Sequence, residues 1–123
     1  ARGRDELDGF ADELESAMGT LKEVTDFLLG SMLEKNIDLV LANSVKYLDV
    51  FGNVVIAWMW LKQGVAASKG LACASSAADE NFYRGKLQAM RYFFRYELPE
   101  INAWANLLMA LDDTTHSMKV DWF

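Results

Sequence analysis

The chain contains a single proline, Pro99, in its last quarter. Proline removes a backbone donor and clashes with the preceding helical turn, so a chain almost free of it can run long helices. The apolar pattern supports this. Leu7, Phe10, Leu14, Ala17, Leu21, Val24 and Leu28 recur at alternating spacings of three and four, the stripe of an amphipathic helix. Asp8, Asp12, Glu13, Glu15, Lys22 and Glu23 lie between them and keep the opposite face in water. The spacing predicts a first helix over residues 5–33.

Residues 34–36 read as the break, with Asn36 or Asp38 able to cap the next helix. Ile37, Leu41, Ser44, Leu48, Phe51, Val55 and Trp58 then repeat the rhythm, and Val40, Tyr47, Val54 and Leu61 fill the adjacent stripe. This second helix, over residues 37 to about 65–68 and roughly 45 Å long for about 30 residues, has the wider apolar face and is expected at the centre of a bundle. Gly52 lies in its middle, where glycine costs stability; close approach of a neighbouring helix is the expected compensation. Small and polar residues at 67–80 form a connection, whose alanines could also continue the second helix for another turn or two. Ser76 or Asp79 can cap a third helix, whose stripe is Tyr83, Leu87, Met90 and Phe94. Pro99 disfavours helical geometry at Leu98 and ends or kinks that helix. A last helix over 101–111 turns Ile101, Trp104, Leu108 and Leu111 inward, and the tail after it is frayed or docked by Trp122 and Phe123.

At 123 residues the chain suits one domain, residues 1–123, able to bury roughly 65% of its unfolded surface. Its 52% apolar and 24% charged residues are those of an ordinary globular chain. The net charge of −6 disfavours nucleic acid as a partner, because that affinity rests on basic neutralisation of phosphates. Cys73 is the sole cysteine, which leaves no internal disulfide and points to a reducing, cytoplasmic setting. The polar start lacks a signal-peptide pattern, and alanine at position 1 suits either a processed chain or a domain cut from something larger. The most apolar window, residues 50–61, falls short of the ~20 residues a membrane span needs.

Chemistry is harder to find. His116 is the only histidine and stands near Asp112 and Asp113 in an irregular tail; a metal centre needs several converging ligands. Cys73 has no activating base nearby. Asp8, Asp12 and Glu15 share a helix face but lie opposite the apolar stripe, where water solvates them, and they make no catalytic pair. The glycines make no phosphate-binding loop. The residues therefore give no catalytic, metal-ligating or cofactor-binding set.

One stretch stands out. "NFYRGKLQAMRYFFRYELP", residues 81–99, interleaves aromatic and cationic residues. Arg84, Arg91 and Arg95 are seven and four residues apart and line one helix face, beside the apolar stripe. That row is either a docking face for an anion or an acidic partner surface, or pairs with acidic helices of its own bundle with its stems along aromatic rings. The aromatics themselves read chiefly as core. Gly85, followed by Lys86, suggests tight helix packing near the start of this helix.

The run "FYRGKLQAMRYFFRYELP" resembles the acetyl-CoA-dehydrogenase-like C-terminal domain of acyl-CoA dehydrogenases, as in enzymes similar to 3-methylmercaptopropionyl-CoA dehydrogenase. The matching positions are Phe82, Tyr83, Arg84, Gly85, Lys86, Arg91, Phe93, Leu98 and Pro99. Tyr47, Leu48, Phe51, Gly52 and Trp58 resemble that domain's central helix, and the likeness extends over about residues 7–111. It implies a parent flavoprotein that oxidises an acyl-CoA to its α,β-enoyl form, a glutamate taking the α-proton and FAD the β-hydride. Those parts belong to domains N-terminal to this one. The resemblance leaves the present chain as an appended bundle that packs on the remaining domains or on a second subunit, with Arg84, Arg91 and Arg95 as its docking face.

The expectation is thus an all-α, antiparallel bundle of three long helices and a shorter C-terminal one. The leading function is that of a non-catalytic domain serving packing or assembly. An autonomous interaction module is the alternative, gripping a partner helix or lipid through the second helix and its Trp58–Met59–Trp60 segment. A small enzyme or ligand carrier ranks lower for want of a convergent polar cluster.

Overall fold

A computed structural model describes residues 2–123, with side chains from Arg4 onward. Five α-helices follow one another: α1 (Arg2–Leu33), α2 (Ile37–Ala42), α3 (Ser44–Ala72), α4 (Ala77–Tyr92) and α5 (Ile101–Met109). A π-helical segment, Phe93–Glu97, and a 3-10 turn, Leu98–Glu100, join α4 to α5; another 3-10 turn covers Val120–Trp122. The described residues include no strand. The all-α bundle expected from the sequence is present, built on long α1, α3 and α4 with the shorter α5.

Cross-links fix the direction of each rod. The hydroxyls of Thr25 and Tyr47 meet at 2.8 Å, joining the later part of α1 to the start of α3, while Gly64 of α3 lies beside Leu7 and Met90. Phe10 and Phe94 set their ring centroids 4.8 Å apart. Thus α1 and the α4–α5 rod run the same way, and α3 runs against both. Val24, Val50, Met90, Phe94 and Leu108 are sealed from solvent at the centre.

The helix ends have local causes. Lys35 takes a left-handed conformation with φ 68°, and the N–H groups of Lys35 and Asn36 return to the carbonyls of Met32 and Ser31, each at 3.0 Å. This is a Schellman stop, at the predicted break. Asn36 precedes α2 without a side-chain cap, contrary to the capping expected there. Ser76 does cap α4, its hydroxyl accepting from the Asp79 N–H at 3.1 Å.

Three other expectations are corrected. The second helix is interrupted at Asn43, whose buried side chain donates to the Asp112 carbonyl at 2.9 Å, and α3 then continues to Ala72. Leu98 keeps helical geometry, φ −60° and ψ −40°, despite the proline after it. The π turn accounts for this: the Leu98 N–H reaches back five residues to Phe93, and the widened turn gives the Pro99 ring room that an α-helix lacks. In the tail, the Asn43–Asp112 bond fastens the start, while Trp122 and Phe123 are exposed and dock nothing.

The stripes of α2–α3 are also reassigned. The inward series is Val40, Val50, Val54, Ala57, Gly64 and Ala67, with Tyr47 and Leu61 half-buried. Ile37, Leu41, Leu48, Phe51, Val55 and Trp58, expected inward, are exposed. α3 is apolar nearly all round, so spacing alone could not choose among its stripes, and its neighbours α1, α4 and α5 cover only part of its circumference. α3 is long and apolar enough to cross a bilayer, by length and composition only, a test that the core helix of a soluble protein passes too.

Candidate functional site

One arginine of the row, Arg91, is spent within the domain. Arg91 donates from Nε to Glu6 Oε1 and from Nη2 to Glu6 Oε2, the latter at 2.9 Å, and its Nη1 reaches Gln88 Oε1 at 3.1 Å. That forked hydrogen bond holds the Glu6 carboxyl below the usual carboxylate range, with the charges of Arg91 and Arg95 adding to it against the opposing effect of burial. The same bond raises the Arg91 guanidinium. Arg84 meets only Glu80, four residues earlier, at 3.3 Å on the surface, and such a pair is worth little. Arg95 lies in the π turn, exposed, near enough to Glu6 to act on its charge. The structure therefore gathers Arg91 and Arg95 toward one carboxylate and leaves Arg84 apart.

The aromatics divide rather than fill the core. Phe94 is buried and Tyr83 and Phe93 half-buried, but Phe82, Tyr92 and Tyr96 are exposed, the last two stacked at 4.8 Å. The cations found over rings are lysines rather than the arginines expected: Lys62 over Trp58 at 4.6 Å and Lys46 over Trp104 at 5.4 Å.

The glycines change roles as well. A Cβ at Gly52 or Gly85 would meet nothing within 4 Å, so the tight packing expected at both does not occur within this chain. The close approaches are at Gly64, where a Cβ would fall 2.2 Å from Met90 Sδ, and at Gly70, 2.4 Å from the Tyr83 ring. Both lie where α3 meets α4.

A cleft of about 380 Å³ separates α1 from the π turn and α5, with Ser16, Thr20, Arg95 and Asn102 at its rim and Phe94 and Leu98 among its walls. Its polar groups could hold a small polar molecule but do not pair a nucleophile with a base. Cys73 is exposed at the end of α3, and His116 borders a shallow dip beside Asp38 and Leu41. Among the described residues, no three His, Cys, Asp or Glu side chains gather as a metal site would require.

The most pronounced surface is apolar. Between α1 and α3 runs a groove of about 550 Å³, walled by Met18, Leu21, Tyr47, Phe51, Val55 and Trp58. It opens onto the outer face of α3, where Val45, Leu48, Ile56 and Met59 stand exposed. Apolar surface collected in one patch marks an interaction site, whereas scattered exposed residues do not. The sequence carried the signal in a helix apolar on nearly every side, which a bundle of this size cannot fully cover.

Fold and surface together define a helical bundle domain that presents one uncovered apolar helix face. The chain belongs to the acetyl-CoA dehydrogenase C-terminal-like family, whose profile matches residues 1–119. It is also 23% identical over 104 residues to the broad-specificity linear acyl-CoA dehydrogenase FadE5 of Mycobacterium tuberculosis, a match covering 84% of this chain and 17% of that protein. The chain thus spans a small part of the length of that relative. The resemblance read from residues 81–99 and from the central helix holds at the level of the family.

Proposed function

We propose that this chain is the C-terminal domain of a flavin-dependent acyl-CoA dehydrogenase, without chemistry of its own, and that it serves domain packing or subunit assembly. The observation that carries this reading is the uncovered face of α3. A helix whose apolar side chains are left in water on one whole side is completed by association, because burying them is favourable by roughly 25 cal/mol per Å². Family membership supports the identity of the parent, and the FadE5 relative supports an acyl-CoA thioester as its substrate. The FYRGK run favours a parent similar to the 3-methylmercaptopropionyl-CoA dehydrogenase type, working in the cytoplasm.

The groove between α1 and α3 does not fit FAD. It is walled chiefly by apolar side chains, and its one cation, Lys22, is already bonded to Asp26 at 2.8 Å. A flavin dinucleotide needs donors for its pyrophosphate. We therefore assign the flavin and the reacting groups to the rest of the parent, and the arginine row, with Arg91 spent on Glu6, to internal pairing before docking.

The test is the product of the reading frame that runs into the codon for Ala1. A yellow protein whose flavin is bleached by an acyl-CoA without oxygen is the expected result. A frame encoding no flavoprotein, or a start codon directly before Ala1, overturns the reading in favour of an autonomous interaction module using the same face.

A further inference from the structure

Five residues of the outer face of α3 have a symmetry that packing within one chain does not require. Val45, Leu48, Gly52, Ile56 and Met59 follow one another at spacings of three, four, four and three. The pattern reads the same in both directions from Gly52. At 100° per residue the five fall within an arc of about 80° centred on that glycine. Val45 is 70%, Leu48 66%, Ile56 46% and Met59 48% exposed. The charged residues between 45 and 59, Lys46 and Asp49, lie on the flank and face each other at 3.6 Å, so the stripe itself is uncharged. A Cβ on Gly52 would meet nothing within 4 Å, which leaves open space above its half-buried backbone at the midpoint of the face.

We infer that the occupant of this face is the α3 helix of a second copy of the chain, antiparallel to the first and crossing it at Gly52. The inference rests on the assembly reading above and adds the partner. An interface around a two-fold axis must be self-complementary. Here the axis passes beside Gly52, setting Val45 of one copy against Met59 of the other and Leu48 against Ile56. Every facing pair is then apolar. The glycine at the crossing lets the two backbones approach more closely than side chains would allow, which gives this mid-helix glycine the neighbour it lacks within the chain. A different partner would need an apolar stripe, but not one with mirrored spacing about a glycine. The four large side chains of the stripe keep about half or more of their surface in water, and the exposed Val55 adjoins them, so a second helix laid along the stripe buries apolar surface with no charge at its centre.

The experiment places the photo-crosslinker p-benzoylphenylalanine in place of Val45 in the full gene product, with isotopically light and heavy copies mixed. Residues 45 and 59 are too far apart along one helix to meet, about 21 Å, so a cross-link between them must join two copies. Cross-linked peptides pairing position 45 with the Met59 segment, in mixed isotopic form, are expected. Leu48→Glu or Ile56→Lys, each on the solvent side of α3, should cut the yield at least about tenfold by burying an unpaired charge. Mixing a Leu48→Glu copy with an Ile56→Lys copy should restore most of it, because the two charges then face each other. Cross-links to another part of the same polypeptide overturn the second-copy inference while leaving the packing reading intact. An absence of cross-links at position 45, together with unchanged assembly in Leu48→Glu, overturns both.

Discussion

Arg91 grips both carboxylate oxygens of Glu6, 85 residues away in sequence, and so ties the first turns of α1 to the end of α4. About 29% of the Arg91 side chain and 30% of the Glu6 side chain remain exposed, so solvent weakens the pair without dissolving its geometry. Because folding lowers the Glu6 pKa, the pair contributes stability above the unfolded carboxylate pKa and loses it as pH falls through the lower, folded value. Glu6→Gln should cost about 1 kcal/mol at neutral pH. Urea melts across the acid range should show the gap to the parent closing as pH drops; a gap constant with pH would mean that the charge contributes nothing.

Gly64 and Gly70 should not tolerate what Gly52 tolerates. Alanine at Gly70 drives a methyl into the Tyr83 ring, and at Gly64 into the buried thioether of Met90, for a loss of roughly 1–3 kcal/mol. Gly52→Ala, placed in a Leu48→Glu background so that self-association does not enter, should gain about 0.5–1 kcal/mol. Thermal melts of the three variants separate the positions.

Lys35 holds a left-handed conformation that favours glycine. Lys35→Gly should relieve that strain at the stop of α1 and raise stability by a few tenths to about 1 kcal/mol. A lowered urea midpoint would show that the Lys35 side chain contributes more than its backbone costs.

Ser76→Ala removes the hydroxyl that accepts from Asp79 at the start of α4. A loss of about 1 kcal/mol is expected, and Ser76→Asp should recover most of it. Equal stability of all three proteins would assign that N–H to water.

Asn43→Ala leaves the Asp112 carbonyl without its partner and frees the tail at its first anchor. We expect faster tryptic cleavage at Lys119 with α-helix content unchanged. Protection equal to the parent would mean that the weaker Thr115–Ala42 contact holds the tail alone.

How far the sequence could be read depended on contrast between the faces of each helix. α1 has charged residues against an apolar stripe, so Phe10, Leu14, Ala17, Val24 and Leu28 were legible as core and are buried. α4 and the π segment after it have a similar contrast, and Leu87, Met90 and Phe94 turn inward as expected. α3 has almost none. Its stripes could not be ranked by spacing, and the series through Leu48, Phe51, Val55 and Trp58 reads as core yet faces water. The arginine row was legible as a row, but its pairing with Glu6 was not, since no local pattern joins positions 6 and 91. The structure shows that pairing for Arg91 and sets beside the row a second exposed surface, the apolar face of α3.

By itself the sequence determined that helices form, where the first one stops and where α4 starts, but not the break at Asn43, the end of α3 at Ala72 or the helical turn through Leu98. Periodicity, a Ser cap and the scarcity of proline are local properties, decided within a few turns of chain. Only the tertiary structure decided which side of α3 is inside, which glycines lie against a neighbour and which arginine finds a carboxylate. The physical reason is that three neighbours can cover only part of a helix apolar on nearly every side. Burial is a property of the assembled bundle, and no window along the chain contains the helices that do the covering.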